Sequence, residues 1–304
     1  MYDLVSVGHL VIDSIFLPDQ ETPFIALGGA VAYVSLAARR LNASVSVVSK
    51  IGRDFPEAYL LLLRKKGIDL SNLFREERSA TTRFELRYDQ SLSHRSLRSA
   101  SRMSPIAFEE ITHLPTASAI HFGPVAGEIT SALVEKLKGC CRFVSLDPQG
   151  LVRRFDKDGN ASIGPLSDKR MLEYVDIFKS SFNEIQTITG FGDLDQAIRA
   201  IHDHGVSIII VTLGEKGATV SVEGTIHKVP AFKPAKLVDP TGAGDVFIGS
   251  FLTEYVHGRD DLWCACVGAA AASLAVEAVG PTCLGNNEEI YRRARFLYEK
   301  GIKE

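Results

Sequence analysis

The segment of this 304-residue chain richest in chemistry is Asp239-Pro240-Thr241-Gly242-Ala243-Gly244-Asp245-Val246-Phe247. A short strand-like run, Ala235–Val238, precedes it, and an apolar helical pattern, Val246–Leu252, follows. Two glycines separated by one small residue let the backbone come close to a ligand. Free N–H groups at a helix start then point at an anion and gain from the positive end of the helix dipole. An acid in the first turn repels a phosphate bound there, so Asp245 either caps a helix or has a chemical task. That task is to take a proton from an alcohol while the backbone of Gly242, Ala243 and Gly244 stabilises charge on a phosphoryl group. The spacing is not a dinucleotide fingerprint, because the glycine after Gly244 is Gly249, and the chain holds no Gly-x-x-x-x-Gly-Lys-Ser/Thr loop.

A second segment, Ser145–Asp156, follows an apolar run and so sits at the carboxyl end of a strand, where open α/β sheets bind ligands. Gln149 offers a donor and an acceptor, and Arg153 a fork of donors. They either hold neighbouring hydroxyls or decorate a surface loop. The Arg-rich stretch Arg75–Arg102 is either a solvated face or brings one arginine to an anionic ligand. His9, His94 and His121 have no spacing that suggests a metal cage.

The elements that must position these groups alternate. Strands are expected at Leu4–Gly8, Ser44–Val48, Ala119–Phe122, Arg142–Leu146, Asp176–Lys179 and Ser207–Thr212. Helices are expected at Gly29–Leu41, Phe55–Lys66, Glu128–Leu137 and Leu194–His204. Such alternation implies a mostly parallel sheet covered on both faces, and Val206–Val211 reads as a central strand buried on both sides. Two segments break the rhythm. Thr82–Tyr88 alternates apolar and charged residues, and Ser93–Ser101 is polar. Together they read as an antiparallel hairpin with one wet face, and Ile15–Ile25 supplies a strand beside it. This is a small β lid, about residues 14–26 and 78–103, inserted into one α/β domain spanning 1–304.

The composition is that of a globular protein, with 45% hydrophobic and 23% charged residues and a net charge of −3. It speaks against nucleic acid or an anionic membrane as the main partner. No stretch reads as a membrane-spanning helix and no secretory leader is visible. The five cysteines, Cys140, Cys141, Cys264, Cys266 and Cys283, form no Cys-x-x-Cys pair and read as thiols of a cytoplasmic protein.

The glycine-rich segment resembles the C-terminal signature of the PfkB, or ribokinase-like, family of sugar and nucleoside kinases. The resemblance covers nearly the whole chain. Val7–Asp13 resembles the family's first strand and substrate-binding acid. Gly28-Gly29-Ala30 with Ser49–Asp54 resembles the N-terminal signature, Val211–Ala218 the nucleotide-side segment, and Gly268–Val279 the Ala-rich helix beside the adenine. The resemblance implies a three-layer α/β/α sandwich with a β lid. It also implies an ATP-dependent kinase in which Asp245 is the base and Gly242, Ala243 and Gly244 form the anion hole. Asp13, Gly28, Gly29, Gln149 and Arg153 would bind substrate. Asn183, Thr212, Gly214 and Gly217 would line the nucleotide cleft with Gly242 and Gly244. Mg²⁺ would bridge the phosphates, K⁺ would sit near Asp239 and Thr241, and a homodimer would form through the lid.

Two departures stand out. Many members carry Asn shortly after the Gly-Gly pair, where this chain runs Ala30-Val31-Ala32-Tyr33, which speaks against ribose or a nucleoside. Many carry Asn-x-x-Glu near the magnesium, where this chain reads Asn183-Glu184-Ile185-Gln186, so metal handling would rest on the nucleotide and water. The Gln149–Arg153 pair and the Phe178-Lys179-Ser180-Ser181 run are similar to the myo-inositol kinase branch, which implies a cyclic polyol. The alternatives are another sugar, a sugar acid or a nucleoside as substrate, or a regulator that binds polyol and nucleotide without catalysis.

Overall fold

The computed structural model describes residues 1–92, 94–282 and 284–301. The chain runs β1 (Tyr2–Val7), β2 (Val11–Phe16), β3 (Phe24–Gly28), α1 (Ala30–Arg40), β4 (Val45–Gly52), α2 (Glu57–Lys65), β5 (Ile68–Glu76), β6 (Arg83–Tyr88) and β7 (Arg95–Ser101). It continues through β8 (Ala117–Phe122), α3 (Ser131–Lys138), β9 (Cys141–Leu146), α4 (Gln149–Val152), β10 (Arg153–Phe155), β11 (Ala161–Ile163), β12 (Ile177–Ser181), α5 (Phe182–Thr189) and α6 (Leu194–His202). It closes with β13 (Ile208–Thr212), β14 (Ala218–Val222), β15 (Thr225–Val229), α7 (Ala243–Val256), α8 (Asp261–Ala275) and α9 (Asn287–Gly301).

Nine strands form the main sheet in the order β15-β14-β13-β12-β9-β8-β1-β4-β5. All neighbours are parallel except the β13–β14 and β14–β15 pairs at one edge. Inward-facing residues alternate between two cores, as a sheet covered on both faces requires. In β13, Ile208 and Ile210 pack with α1, α7, α8 and α9, while Ile209 and Val211 pack with α3, α5 and α6. The Val206–Val211 run is thus buried on both sides as its composition demands, but it lies third from an edge and has an antiparallel neighbour.

The sheet order reverses at β1. The chain moves from β1 to β4 and β5 on one side, and β8, β9, β12 and β13 lie on the other. A crevice opens at such a switch point, outside the carboxyl ends of the strands. The lid covers it as a four-stranded sheet, β3-β2-β6-β7, with β2 and β6 parallel and the β2–β3 and β6–β7 pairs antiparallel. The lid is fastened by its own small core of Val11, Ile15, Phe84 and Leu86 packed on Ala30 and Val125.

Several sequence expectations need correction. Ile15–Ile25 is not one strand. The chain turns between Phe16 and Phe24, with Asp19 at φ 60°, and returns as the edge strand β3. Ala235–Val238 is not a strand: the Val238 and Asp239 N–H groups donate to the Val276 carbonyl at the end of α8, which ties the loop to a helix and not to a sheet. Helix α3 begins at Ser131 rather than at Glu128, because Thr130 caps it and Glu128 turns inward to accept the His9, Val125 and Ala126 N–H groups. Cys283 and Ser93 lie outside the described residues. Among the described residues no helix is long and apolar enough to cross a membrane.

Candidate active site

Helix α7 presents the acid. Gly242 caps it at φ 75° with no side-chain cap, so the first-turn N–H groups face outward for an anion. Two contacts explain the glycines. A side chain on Gly242 would strike the ring of Tyr33, and one on Gly244 would stand 2.5 Å from Lys179 Nζ. The ammonium therefore reaches the helix start itself. Lys179 is buried in β12 and pairs with Asp147 Oδ2 at 2.6 Å. Burial opposes its charge, but Asp147, Asp245 and Glu184 outweigh that and raise its pKa, so it remains cationic.

Asp245 is held by a chain of hydrogen bonds. Gln149 Nε2 donates to Asp245 Oδ1 at 2.9 Å, and Arg153 Nη2 donates to Gln149 Oε1 at 2.6 Å. Arginine can only donate, so it turns the amide oxygen toward itself and the NH₂ toward Asp245. Arg153 Nη1 is anchored on the Val125 carbonyl at 2.9 Å, and the Gln149 N–H donates to Asp147 Oδ1 at 3.1 Å. Burial is the largest influence on Asp245 and raises its pKa to about 6, with Lys179 pulling it down and Asp147 pushing it up. At neutral pH it is an ionised and unusually basic carboxylate.

Two cavities meet at this acid. The outer cleft, about 300 Å³, is lined by Asp147, Lys179, Ser181, Glu184, Thr212 and the Pro240–Asp245 turn, with Tyr88, Leu92 and Arg95 from the lid. The inner chamber is lined by polar groups of Asp13, Tyr33, Arg153 and Thr241 and by apolar side chains of Val11, Phe84, Leu86, Leu97 and Val125. Arg95, Gln149, Gly242 and Asp245 line both. Arg95 Nη1 donates to the Tyr88 hydroxyl at 3.2 Å, which in turn shares a 2.8 Å hydrogen bond with Thr241 Oγ1. The lid is thereby pinned to the turn that starts α7. Asp13 projects from β2 over Gly28, whose missing side chain leaves room for the carboxylate. Burial raises Asp13 to about 7, against the pull of Arg95 and Arg153.

Of the residues singled out in the sequence, Asp13, Gly29, Gln149, Arg153, Thr212, Thr241 and Gly242–Asp245 line the two cavities. Gln149 and Arg153, expected either to hold substrate hydroxyls or to decorate a surface loop, line the inner chamber and also hydrogen-bond to each other, with Gln149 reaching Asp245. Asp239 is buried behind the turn. Its Oδ1 accepts from Thr241 N and Oγ1 at 2.9 and 2.5 Å, and its Oδ2 has no partner among the described residues. Asn183 is exposed and does not line the cleft. The carboxylate there is its neighbour Glu184, and Gln186 points away to the Gly192 carbonyl. The cleft motif is thus Ser181-x-x-Glu184, a capping box at the start of α5, and the reading of an amide at the carboxylate position is corrected. Gly214 and Gly217 do not line the cleft. They shape the β13–β14 turn, where Gly217 at φ 95° lies against the Val229 carbonyl. His9 and His121 are buried and His94 is exposed. Burial, with Lys179 adding, pushes His121 down to about 3, so it is a neutral partner of Ser145.

Sequence reasoning gave no role to Lys179, Asp147, Glu184 or Tyr88, and covered Arg95 only as one of the Arg75–Arg102 arginines, of which one was a candidate for an anionic ligand. Two signals were available: a lysine inside the apolar run Ile177-Phe178-Lys179, and the Ser-x-x-Glu spacing of a capping box.

An α/β/α sandwich with a β lid and a basic carboxylate at an uncapped glycine turn defines a phosphotransferase acting on an alcohol. The chain belongs to the pfkB family of carbohydrate kinases, whose model matches residues 1–286. It is 30% identical over 276 residues to a cytidine kinase of Thermococcus kodakarensis, covering 85% of this chain and 90% of that one. It is 31% identical over 293 residues to an inositol 3-kinase of Oryza sativa subsp. japonica, covering 91% of this chain and 68% of that one. Its ribokinase-like fold is shared with a pyrophosphate-dependent kinase solved with sulfate, at a TM-score of 0.83 and 24% identity over 95% of this chain and 99% of that one. A pyrophosphate-dependent myo-inositol-1 kinase, which two substitutions to leucine convert into a myo-inositol-3 kinase, has a TM-score of 0.81 at 24% identity over 97% of this chain and 99% of that one.

Proposed function

We propose that this kinase phosphorylates a cyclic polyol, myo-inositol, at its 3-hydroxyl. The observation that carries the reading is the mixed lining of the inner chamber. Its carboxylate, phenol and guanidinium groups suit a ring of hydroxyls, and its apolar side chains suit the ring's C–H faces. The leucines of that lining support the position. Leu86 and Leu97 are cross-strand partners on β6 and β7 and both line the chamber. They lie eleven positions apart, the same separation as the two leucines that convert the inositol-1 kinase of this fold. The inositol 3-kinase relative points the same way.

In this mechanism the acceptor hydroxyl approaches Asp245 Oδ2 while Gln149 holds Oδ1. Asp245 takes the proton as the oxygen attacks the terminal phosphoryl group of the donor. The first-turn N–H groups of α7 and the Lys179 ammonium stabilise the charge, and Arg95 closes over the transfer point from the lid. Such transfer is governed by positioning and electrostatics. Mg²⁺ would neutralise the donor phosphates. It would be held through those phosphates, with the Glu184 carboxylate alongside in the cleft. The unpartnered Asp239 Oδ2, behind Thr241, suits a K⁺. Donor-side roles go to Ser181, Glu184 and Thr212, with ATP as donor. A cytoplasmic enzyme, pairing with a second copy through the exposed Phe24 and Ile25 of edge strand β3, completes the reading.

The cytidine kinase relative supports a nucleoside as the second reading. The test is a panel of myo-inositol, cytidine, ribose and fructose with ATP or pyrophosphate, with the product's position read by phosphorus NMR and the mirror-image 1- and 3-phosphates of inositol separated on a chiral column. Turnover of cytidine with inositol inert overturns the polyol reading. A product at another carbon overturns the 3-position.

A further inference from the structure

Tyr33 follows the Gly28-Gly29 pair that ends β3 and opens the first turn of α1. It is on α1, only 2% exposed, and lines the inner chamber. Its ring packs under Gly242, the residue that starts the anion turn, so a side chain there would overlap ring atoms Cγ, Cδ1 and Cε1. The ring is thus fixed by the catalytic turn itself. Its hydroxyl is buried and has no hydrogen-bond partner among the described residues. An unpaired buried hydroxyl costs stability, so its retention calls for a partner that arrives from outside the fold. Burial, with Asp13, Asp239 and Asp245 around it, drives the phenol pKa well above its ordinary value. The hydroxyl keeps its proton and acts as a donor.

We propose that the Tyr33 hydroxyl is a specificity-determining donor to one hydroxyl of the polyol acceptor, with its ring fixing the acceptor's height above the Gly242 turn. Asp13 can only accept when ionised, and Gln149 is spent on Asp245 and Arg153. Tyr33 therefore supplies a neutral donor from α1, on the core side of the chamber. The inference rests on the polyol reading of the chamber.

The experiment is a cycle between protein and substrate. The wild type and Tyr33→Phe are assayed on myo-inositol and on each mono-deoxy-inositol. One deoxy analogue should lose roughly ten-fold in kcat/KM with the wild type and almost nothing further with Tyr33→Phe. Equal losses in both proteins for every analogue overturn the proposal, because a merely structural tyrosine does not couple to one substrate hydroxyl. A companion measurement guards against misfolding. Ligand-free Tyr33→Phe should melt at or above the wild-type temperature, since it removes an unpaired polar group. A clear loss of melting temperature means the hydroxyl has a partner inside the protein and overturns the proposal as well. Wild type inert on inositol but active on another acceptor refutes the polyol reading instead, and Tyr33 is then judged by the same cycle on deoxy forms of that acceptor.

Discussion

Asp13 should cost the ligand-free enzyme stability that its substrate later recovers. Its carboxyl is 4% exposed, and burial is the main reason its pKa rises from 3.8 to about 7, with Asp239 and Asp245 adding and Arg95 and Arg153 opposing. At about 1.4 kcal/mol per unit, ionising this group in the fold carries a penalty of roughly 4 kcal/mol, an upper bound because chamber water screens it. The sign follows from proton binding. Between about pH 4 and 7 the folded chain keeps a proton that the unfolded chain has released. Stability therefore falls as pH rises through that window, and the whole penalty applies above it. Asp13→Asn keeps the shape and removes the ionisation. In urea titrations of ligand-free protein, the variant should be more stable than wild type by about 2–4 kcal/mol at pH 8 and by no more than about 1 kcal/mol at pH 4.5. Its KM for the acceptor should meanwhile rise roughly ten-fold or more, through loss of a charge-assisted hydrogen bond. A stability difference that is the same at both pH values, or a wild type that is the more stable at pH 8, refutes the reasoning.

Four further outcomes are expected. Asp245→Asn should lose about 10²–10⁴-fold in kcat while donor affinity, measured by calorimetry, is retained. Wild-type kcat/KM should fall ten-fold per unit below about pH 6, where Asp245 takes up its proton, and a flat profile down to pH 5 contradicts its role as base. Gly244→Ala should place a methyl against the Lys179 ammonium, which the Asp147 pair holds in place, and so lower kcat strongly with little change in melting temperature. Arg95→Ala should lower kcat by roughly 10² or more while leaving the fold intact, because it removes one donor from the point where both cavities meet; an unchanged kcat would show that the lid only covers the site.

The Asp239–Phe247 segment was legible because its chemistry is contiguous: turn, anion-binding helix start and acid follow one another along nine residues. Strand and helix alternation was legible because burial on one or two faces imposes a period on the sequence. Boundaries shifted where a side chain outvoted the pattern, as when Glu128 turned inward and left Thr130 to cap α3. The misplaced carboxylate has a similar cause. Asn183 and Glu184 are adjacent, yet one step along a helix turns a side chain by about 100°, and the Ser181 cap decides which of them faces the cleft.

What the residues alone determined was the layered α/β architecture, which local spacing and backbone propensity impose, and, through the resemblance of contiguous motifs, the kinase family. The tertiary structure decided the rest. Lys179, Glu184, Arg95 and Tyr33 come from β12, α5, the lid and α1, and only the strand order β12-β9-β8-β1 with the lid folded over it gathers them around Asp245. It also decided what Gln149 and Arg153 do. A hydrogen bond belongs to two groups at once, and no property of either residue names its partner before the chain has folded.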